Sequence, residues 1–297
     1  MELCLGPLLF NWPAPEVDRF YGAVARNPHV QRVYLGEVVC GKRAPLLAEV
    51  LAGAAARLAD AGKTVVWSSL ALPSTPRERK LGRALAETPD LIEVNDLSIL
   101  AERAHDAPFV AGPLLNVYNE ATARELVARG CVRLCANVEL PLSSVGQVAS
   151  ACPGLELELF AFGRLPLALS GRCHHARAHG RHKDTCLFVC DQDPDGMAVK
   201  TVEGAPFLAI NGVQTLSHGV QLVDLPVAAL QDAGIGALRL SPHTGDMAAV
   251  IAAFRRFIDG EIPPGALRTA VEAAGPPGAL VSGYLHGAAG LRPTGSA

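Results

Sequence analysis

Three cysteines, Cys173, Cys186 and Cys190, fall within eighteen residues of a segment that also carries His174, His175, His179 and His182. A fourth, Cys40, directly follows the apolar run Val30–Val39, more than a hundred residues upstream. Thiolates are soft ligands, and four of them satisfy either tetrahedral Zn²⁺ or an iron–sulfur cluster. The spacing Cys173-x12-Cys186-x3-Cys190 gives one close pair and two singletons, where a zinc ribbon uses two Cys-x2-Cys knuckles. Spacing alone leaves the metal open. A helical turn over Lys183–Cys190 would place both sulfurs of the close pair on one face. Cys4, Cys131, Cys135 and Cys152 lie in or beside apolar runs and read as buried thiols with no ligand role. The four histidines stand among Arg172, Arg177, Arg181 and Lys183. They read first as a solvated basic loop, next as groups behind the ligands or an anion-binding patch, and last as metal ligands.

The elements that must position these thiols follow from the apolar pattern. With 297 residues, 49% hydrophobic and 19% charged, the chain reads as globular and able to bury a large core. The net charge of −3 gives no electrostatic case for nucleic acid or an anionic membrane surface. No apolar run reaches the roughly 18 residues that a membrane span needs, so an integral membrane protein is not expected. The start, Met1-Glu-Leu-Cys-Leu-Gly6, reads as a strand rather than a leader. The expectation is a cytoplasmic protein whose eight cysteines are not paired in disulfides.

Strands are expected at Glu2–Phe10, Val30–Val39, Thr64–Leu70, Leu91–Asn95, Phe109–Val117, Val132–Val138, Leu155–Phe162, Phe207–Ile210 and Ala237–Leu240. Helices are expected at Ala14–Arg26, Pro45–Ala61, Thr75–Glu87, Leu97–His105, Glu120–Ala128, Ser143–Ala151, Pro226–Asp232 and Asp246–Asp259. Ser74 and Asn119 read as N-caps, and Gly62 and Gly130 as helix stops. A strand–helix repeat sustained about eight times, with continuously apolar strands such as Val65-Val66-Trp67, points to a (β/α)8-type barrel, regular or distorted. The absence of a Gly-x-Gly-x-x-Gly or Walker motif argues against an open nucleotide-binding sheet. The stretch 170–204 breaks the alternation and reads as a Cys/His-rich loop inserted in a single domain spanning 1–297. The segment 276–297, rich in Gly, Ala and Pro, reads as a partly flexible tail that Tyr284 and Leu285 could dock. Cys40 and Cys173 both follow strands, so both are placed at the barrel mouth where such folds do chemistry. Glu37 and Asn116 are the candidate catalytic residues, at strand C-terminal ends, each set against a solvated, ion-paired or capping role. His243 sits at another strand end, while Tyr118 and Asn119 read as capping residues. Arg172 and Lys183 lie close enough in sequence to tune a metal centre through charge.

The segment Glu158–Cys173 resembles the signature region of the collagenase-like peptidase family. Glu158, Phe160, Gly163, Leu165, Gly171 and Cys173 match its pattern, Arg164 replaces a small residue, and Pro166 stands where the first cysteine is expected, which argues against peptidase activity. Within that superfamily the chain is similar to the UbiV branch, the oxygen-independent ubiquinone-hydroxylation proteins. Leu5-Gly6-Pro7, Trp12-Pro13, Tyr34–Glu37, Cys40-x-Lys42-Arg43, Ala111-Gly112, Asn116, Tyr118-Asn119, Lys183-Asp184-x-Cys186, Asn211–Thr215 and Arg239–Pro242 carry the similarity. The resemblance implies a [4Fe–4S] cluster on Cys40, Cys173, Cys186 and Cys190. It also implies a heterodimer with a homologous UbiU-type subunit, prephenate as oxygen source, and a lipid-binding accessory protein that presents the ubiquinone precursor. A non-catalytic scaffold bearing Zn²⁺ or a cluster, and a collagenase-like peptidase, are the alternative readings.

Overall fold

Runs of four to six apolar residues cannot hold a backbone in water alone; they must pair, and parallel strands also need both faces covered. In the computed structural model, which describes residues 1–295, the chain solves both problems by closing a barrel. In chain order the elements are β1 (Glu2–Leu5), α1 (Ala14–Arg26), β2 (Arg32–Leu35), α2 (Ala44–Asp60), β3 (Thr64–Ser68), α3 (Pro76–Ala86) and β4 (Ile92–Val94). There follow β5 (Phe109–Ala111), α4 (Glu120–Ala128), β6 (Cys131–Cys135), α5 (Leu142–Ala151), β7 (Glu156–Leu169), α6 (His174–Ala178), β8 (Met197–Lys200) and β9 (Pro206–Asn211). The chain continues through β10 (Gln214–Leu222), α7 (Val227–Asp232), β11 (Ile235–Leu240), α8 (Met247–Ile258), α9 (Pro264–Ala273) and β12 (Leu280–Val281). Strands β1 to β7 pair in sequence order, and β11 closes the ring between β7 and β1, with Glu2 opposite Ala237 and Leu5 opposite Leu240. This is an α/β barrel of eight parallel strands ringed by helices.

The seventh strand does two jobs. Expected to stop at Phe162, it runs on to Leu169: residues up to Phe162 pair in parallel with β6 and β11, and from Phe162 onward it pairs antiparallel with β10. The change happens at Gly163. Its φ of 134° favours glycine, and a Cβ there would lie 2.5 Å from that of Ser241. Strands β10, β9 and β8 extend this arm as an antiparallel meander beyond the barrel rim. Phe207–Ile210, read as a stave, therefore belongs to the meander, because its pairing partner Gln214–Leu222 escaped the sequence pattern.

Other departures are local. The helix expected at 97–105 is a single 3-10 turn, Leu97–Ala101, started by the Asp96 carboxylate, which accepts the Ser98 N–H at 2.9 Å. Helix α3 is capped by Thr75 rather than Ser74, through a box in which Thr75 accepts the Glu78 N–H and Glu78 reaches back to the Thr75 N–H. Asn119 caps α4 as expected, and α9 lies beyond the last helix expected. Within the segment 276–297, β12 pairs with β10, and the Leu285 carbonyl accepts the Leu142 N–H at 3.0 Å; residues 296 and 297 lie outside the described residues. No helix among the described residues is long and apolar enough to cross a membrane.

The barrel interior holds charge as well as apolar packing. Arg239, on β11, is ion-paired to Glu93 and donates from Nε to Glu158 at 2.6 Å, and its guanidinium carbon lies 3.8 Å from the centre of the Tyr34 ring. Tyr34 donates its hydroxyl to Glu158 at 2.6 Å, and Arg133 contacts the same carboxylate at 3.3 Å. Ser68 and Asn95 donate to Glu93. All these side chains are buried, so the attraction acts in a low dielectric and every charge has a partner.

Candidate metal site and barrel mouth

Each of the four thiols is carried past a strand end. Cys40 lies in the turn after β2; Cys173 caps α6 just beyond β7; Cys186 ends the 3-10 turn Lys183–Thr185, and Cys190 lies in the next one, Val189–Gln192. The expected single helix over 183–190 is thus two turns, broken where Leu187 and Phe188 take φ of 50° and 55°. Cys186, in the right-handed helical region, followed by left-handed Leu187 forms the kind of backbone nest that turns N–H groups inward around an anion or an iron–sulfur centre. Two adjacent bulky residues with positive φ are costly, and this turn lies within the Cys186-x3-Cys190 pair.

The thiols act on one another electrostatically, most visibly at Cys190. Burial pushes its pKa up to about 11, Arg43 opposes that shift, and the Cys40, Cys173 and Cys186 thiols each add to it. Burial also raises Cys40, against Arg43 and the Lys42 N–H. Backbone donors reach two more of the sulfurs: Ala176 N–H to Cys173 Sγ at 3.3 Å and Phe188 N–H to Cys186 Sγ at 3.4 Å. Lys42 ties the two distant parts together, its ammonium donating to the Lys183 and Asp184 carbonyls at 2.6 and 3.0 Å. None of the eight cysteines is in a disulfide, and Cys4, Cys131, Cys135 and Cys152 are buried away from this group.

Behind the thiols stands Arg43, 1% exposed. It donates to Glu37 at 2.8 Å, to the Leu9 carbonyl at 3.0 Å and to Asn211 at 3.3 Å. Glu37 Oε1 also accepts the Val39 and Cys40 N–H groups, both at 2.8 Å, so this carboxylate shapes the Cys40 turn. Leu9 also walls a pocket at the mouth, together with Val38, Leu114 and Phe160, with Asn95, Gln214 and Arg239 among its polar members. Its free interior is about 20 Å³, room for one water-sized group. Asn95 Oδ1, Gln214 Nε2 and Arg239 Nη2 are buried without a hydrogen-bond partner. One pocket thus gathers two unmet donors and one unmet acceptor.

The other candidates fall elsewhere. Glu37 lines a larger cavity of about 210 Å³ between α2 and α3, and Asn116 is exposed, left-handed, and accepts from Asn137 at 3.2 Å. His243 is buried against Phe162, with Nδ1 accepting the Gly245 N–H at 2.9 Å, and burial pushes its pKa down to about 4. Of the loop histidines, His174, His179 and His182 are exposed, but His175 is fully buried and meets Asp193 at 2.8 Å. A basic-loop reading misses that partner because it lies eighteen residues on. The mouth residues Glu93, Asn95 and Arg239 did leave a signal: a charged or amide residue inside an otherwise apolar strand.

Fold and site together define a (β/α)8-type barrel protein that carries several buried cysteines and a cluster of His175, His179 and Asp193 whose ligand atoms could hold a metal ion. The chain belongs to peptidase family U32, whose model matches residues 18–287. It is also 26% identical over 108 residues to the tRNA hydroxylation protein P of Escherichia coli (strain K12), across 34% of this chain and 24% of that protein.

Proposed function

We propose that this chain is the iron–sulfur subunit of an oxygen-independent hydroxylase acting on the aromatic ring of ubiquinone precursors, of the UbiV type. It works with a homologous UbiU-type subunit, takes oxygen from prephenate, and receives its precursor from a lipid-binding accessory protein. The observation that carries this reading is the electrostatic influence of Cys40, Cys173 and Cys186 on Cys190, with backbone N–H groups donating to the Cys173 and Cys186 sulfurs. Membership in family U32 and similarity to a relative named for hydroxylation support it. That relative's tRNA is not carried over, because the match covers only 24% of that protein.

The donor set fits a [4Fe–4S] cluster: four thiols, a nest, and N–H groups that would ease the charge on bound sulfur. Such a cluster, with all four ligands from the chain, supplies electron transfer rather than an open Lewis-acid site. The chain's own residues do the rest. Leu9, whose carbonyl accepts from Arg43 and Asn211, also walls the mouth pocket. In that pocket Leu9, Val38, Leu114 and Phe160 exclude water. Gln214 Nε2 and Arg239 Nη2 hold a single ligand oxygen, one ring substituent being all that the free interior of about 20 Å³ admits, while the ring itself stays outside, and Asn95 Oδ1 accepts from that substituent's proton. Replacing Gln214 by Met keeps the volume and removes one donor. The expected result is an apparent precursor affinity weaker by about fivefold, the worth of one hydrogen bond of ~1 kcal/mol, with iron content unchanged. Unaltered affinity would remove Gln214 from this role.

Anaerobic purification followed by iron, sulfide and zinc quantification tests the main reading. About four irons and four sulfides per chain are expected. One zinc without sulfide would make the thiols a structural site and this chain a scaffold.

A further inference from the structure

Behind the thiols, the same loop holds a second set of metal-binding atoms that uses none of the four cysteines. His175 lies in α6 and His179 ends it, four residues on, a spacing that stacks the two rings on one side of the helix. Their centroids are 5.5 Å apart and their planes 12° from parallel. Asp193, at the end of the 3-10 turn that contains Cys190, brings its Oδ2 to 2.8 Å from His175 Nε2. One ligand atom from each of the three lies within 4.8 Å of the other two.

We propose that His175, His179 and Asp193 bind one divalent transition-metal ion of the zinc class, with a fourth position open to solvent. Zinc takes imidazole nitrogen and carboxylate oxygen at about 2.0–2.2 Å, which sets tetrahedral ligand atoms roughly 3.3 Å apart. The His175–Asp193 pair is already near that separation. His179 needs to close by about 1.5 Å at most, and its exposed ring at the helix end is free to do so. His175 is the anchor. It is fully buried, and with Nε2 turned to Asp193 its other nitrogen faces the Ile210 carbonyl, short of full hydrogen-bond geometry. A backbone carbonyl behind the distal nitrogen is how ligating histidines are commonly oriented. Two histidines and one carboxylate make a three-ligand set, the composition that leaves zinc a water position rather than a closed structural site.

A plain hydrogen bond between His175 and Asp193 would account for that pair alone. It gives no reason for His179 to stack over it in register. The neighbouring Arg172, Arg177 and Arg181 are exposed, so solvent and salt screen their repulsion of a cation. Asp191 and Asp195 flank Asp193 in sequence and add negative charge to this turn. The site's effect follows from its connections. α6 begins one residue after Cys173, and Asp193 lies three residues after Cys190, so a bound ion ties together the two arms that carry these thiols.

The test is X-ray absorption at the zinc edge on the full-length chain, purified anaerobically and given one equivalent of Zn²⁺, alongside His179→Ala. Expected are a nitrogen/oxygen shell at about 2.0–2.1 Å with imidazole scattering and no sulfur at about 2.3 Å, and zinc affinity at least tenfold weaker in the variant. His179 is exposed, so the variant folds as the parent does, and circular dichroism checks this. A dominant sulfur shell, no bound zinc, or an affinity unmoved by His179→Ala overturns the proposal. Iron and sulfide measured on the same samples keep this outcome separate from the fate of the cluster: zinc at the histidines without iron, or iron without zinc, decides each claim alone.

Discussion

Cys190→Ala is expected to empty the thiol site. Under the function proposed above, iron and sulfide should fall from about four each per chain to background, and oxygen-independent hydroxylation by the proposed complex should drop by more than about 100-fold, beyond the loss usual for groups that merely orient ligands. Cys190 is chosen because it is the thiol that feels the other three, and because Arg43 sits against it. Arg43 keeps its charge despite burial, held by Glu37 and by the Cys190 and Cys40 thiols. With Cys190 gone, three thiols and a strained turn remain, one ligand short. Cys152→Ala, which alters a buried thiol outside the group, should leave metal content untouched. Full iron retention in Cys190→Ala would break the four-thiol assignment.

Arg239→Met is expected to have the largest effect on stability. Its guanidinium is the shared partner of Glu93 and Glu158 at the barrel axis, and removing one member of a buried charge set costs about 3–5 kcal/mol. In a chain of this size that corresponds to a fall in Tm of roughly 5–8 °C, measured by calorimetry at neutral pH. The network also fixes the acid limb. Burial pushes the Glu158 carboxyl up, but Arg239, Tyr34 and Arg133 together hold it below its ordinary value of 4.5. A carboxyl lowered in the folded state contributes its full stability above 4.5 and surrenders it as pH falls through the folded value. The wild-type chain should therefore lose stability below about pH 4.5. Arg239→Met should lose much of that dependence, since the lowered carboxyl is what creates it. A Tm shift under about 2 °C would mean that the interior relaxes around the unpaired carboxylates.

Much of the architecture was legible because parallel barrel strands are short, apolar and separated by amphipathic helices. All eight staves and most outer helices announced themselves this way, and so did the insertion, by its length and its cysteines. What stayed hidden was non-local. Nothing in the run Glu158–Leu169 shows that it leaves one set of partners for another at Gly163, because the neighbours that decide this, Ser241 and β10, lie far along the chain. The thiols could be listed from composition. Their electrostatic influence on Cys190, and the Arg43 contacts with Glu37, Leu9 and Asn211, needed the fold. The mouth pocket was hidden for a different reason: Asn95, Gln214 and Arg239 come from three separate strand ends, and each alone reads as an ordinary polar residue. His175 was misjudged because flanking arginines set the tone of the segment, while its partner Asp193 comes from the next turn.

The ring closes between the first stave and the last, Glu2–Leu5 against Ala237–Leu240, and this pairing is the least local in the molecule. Bringing together chain ends separated by well over two hundred residues carries an entropic charge of roughly 5 kcal/mol, so closure must follow the more local pairings along the sheet. The insertion with its thiols precedes β11 in the chain and is therefore synthesised while the ring is still open. Release runs the same way in reverse: parting β1 from β11 opens the whole cylinder along a single seam. The hydrogen bonds of that seam, and the Arg133 contact with Glu2 beside it, are what such an opening has to break.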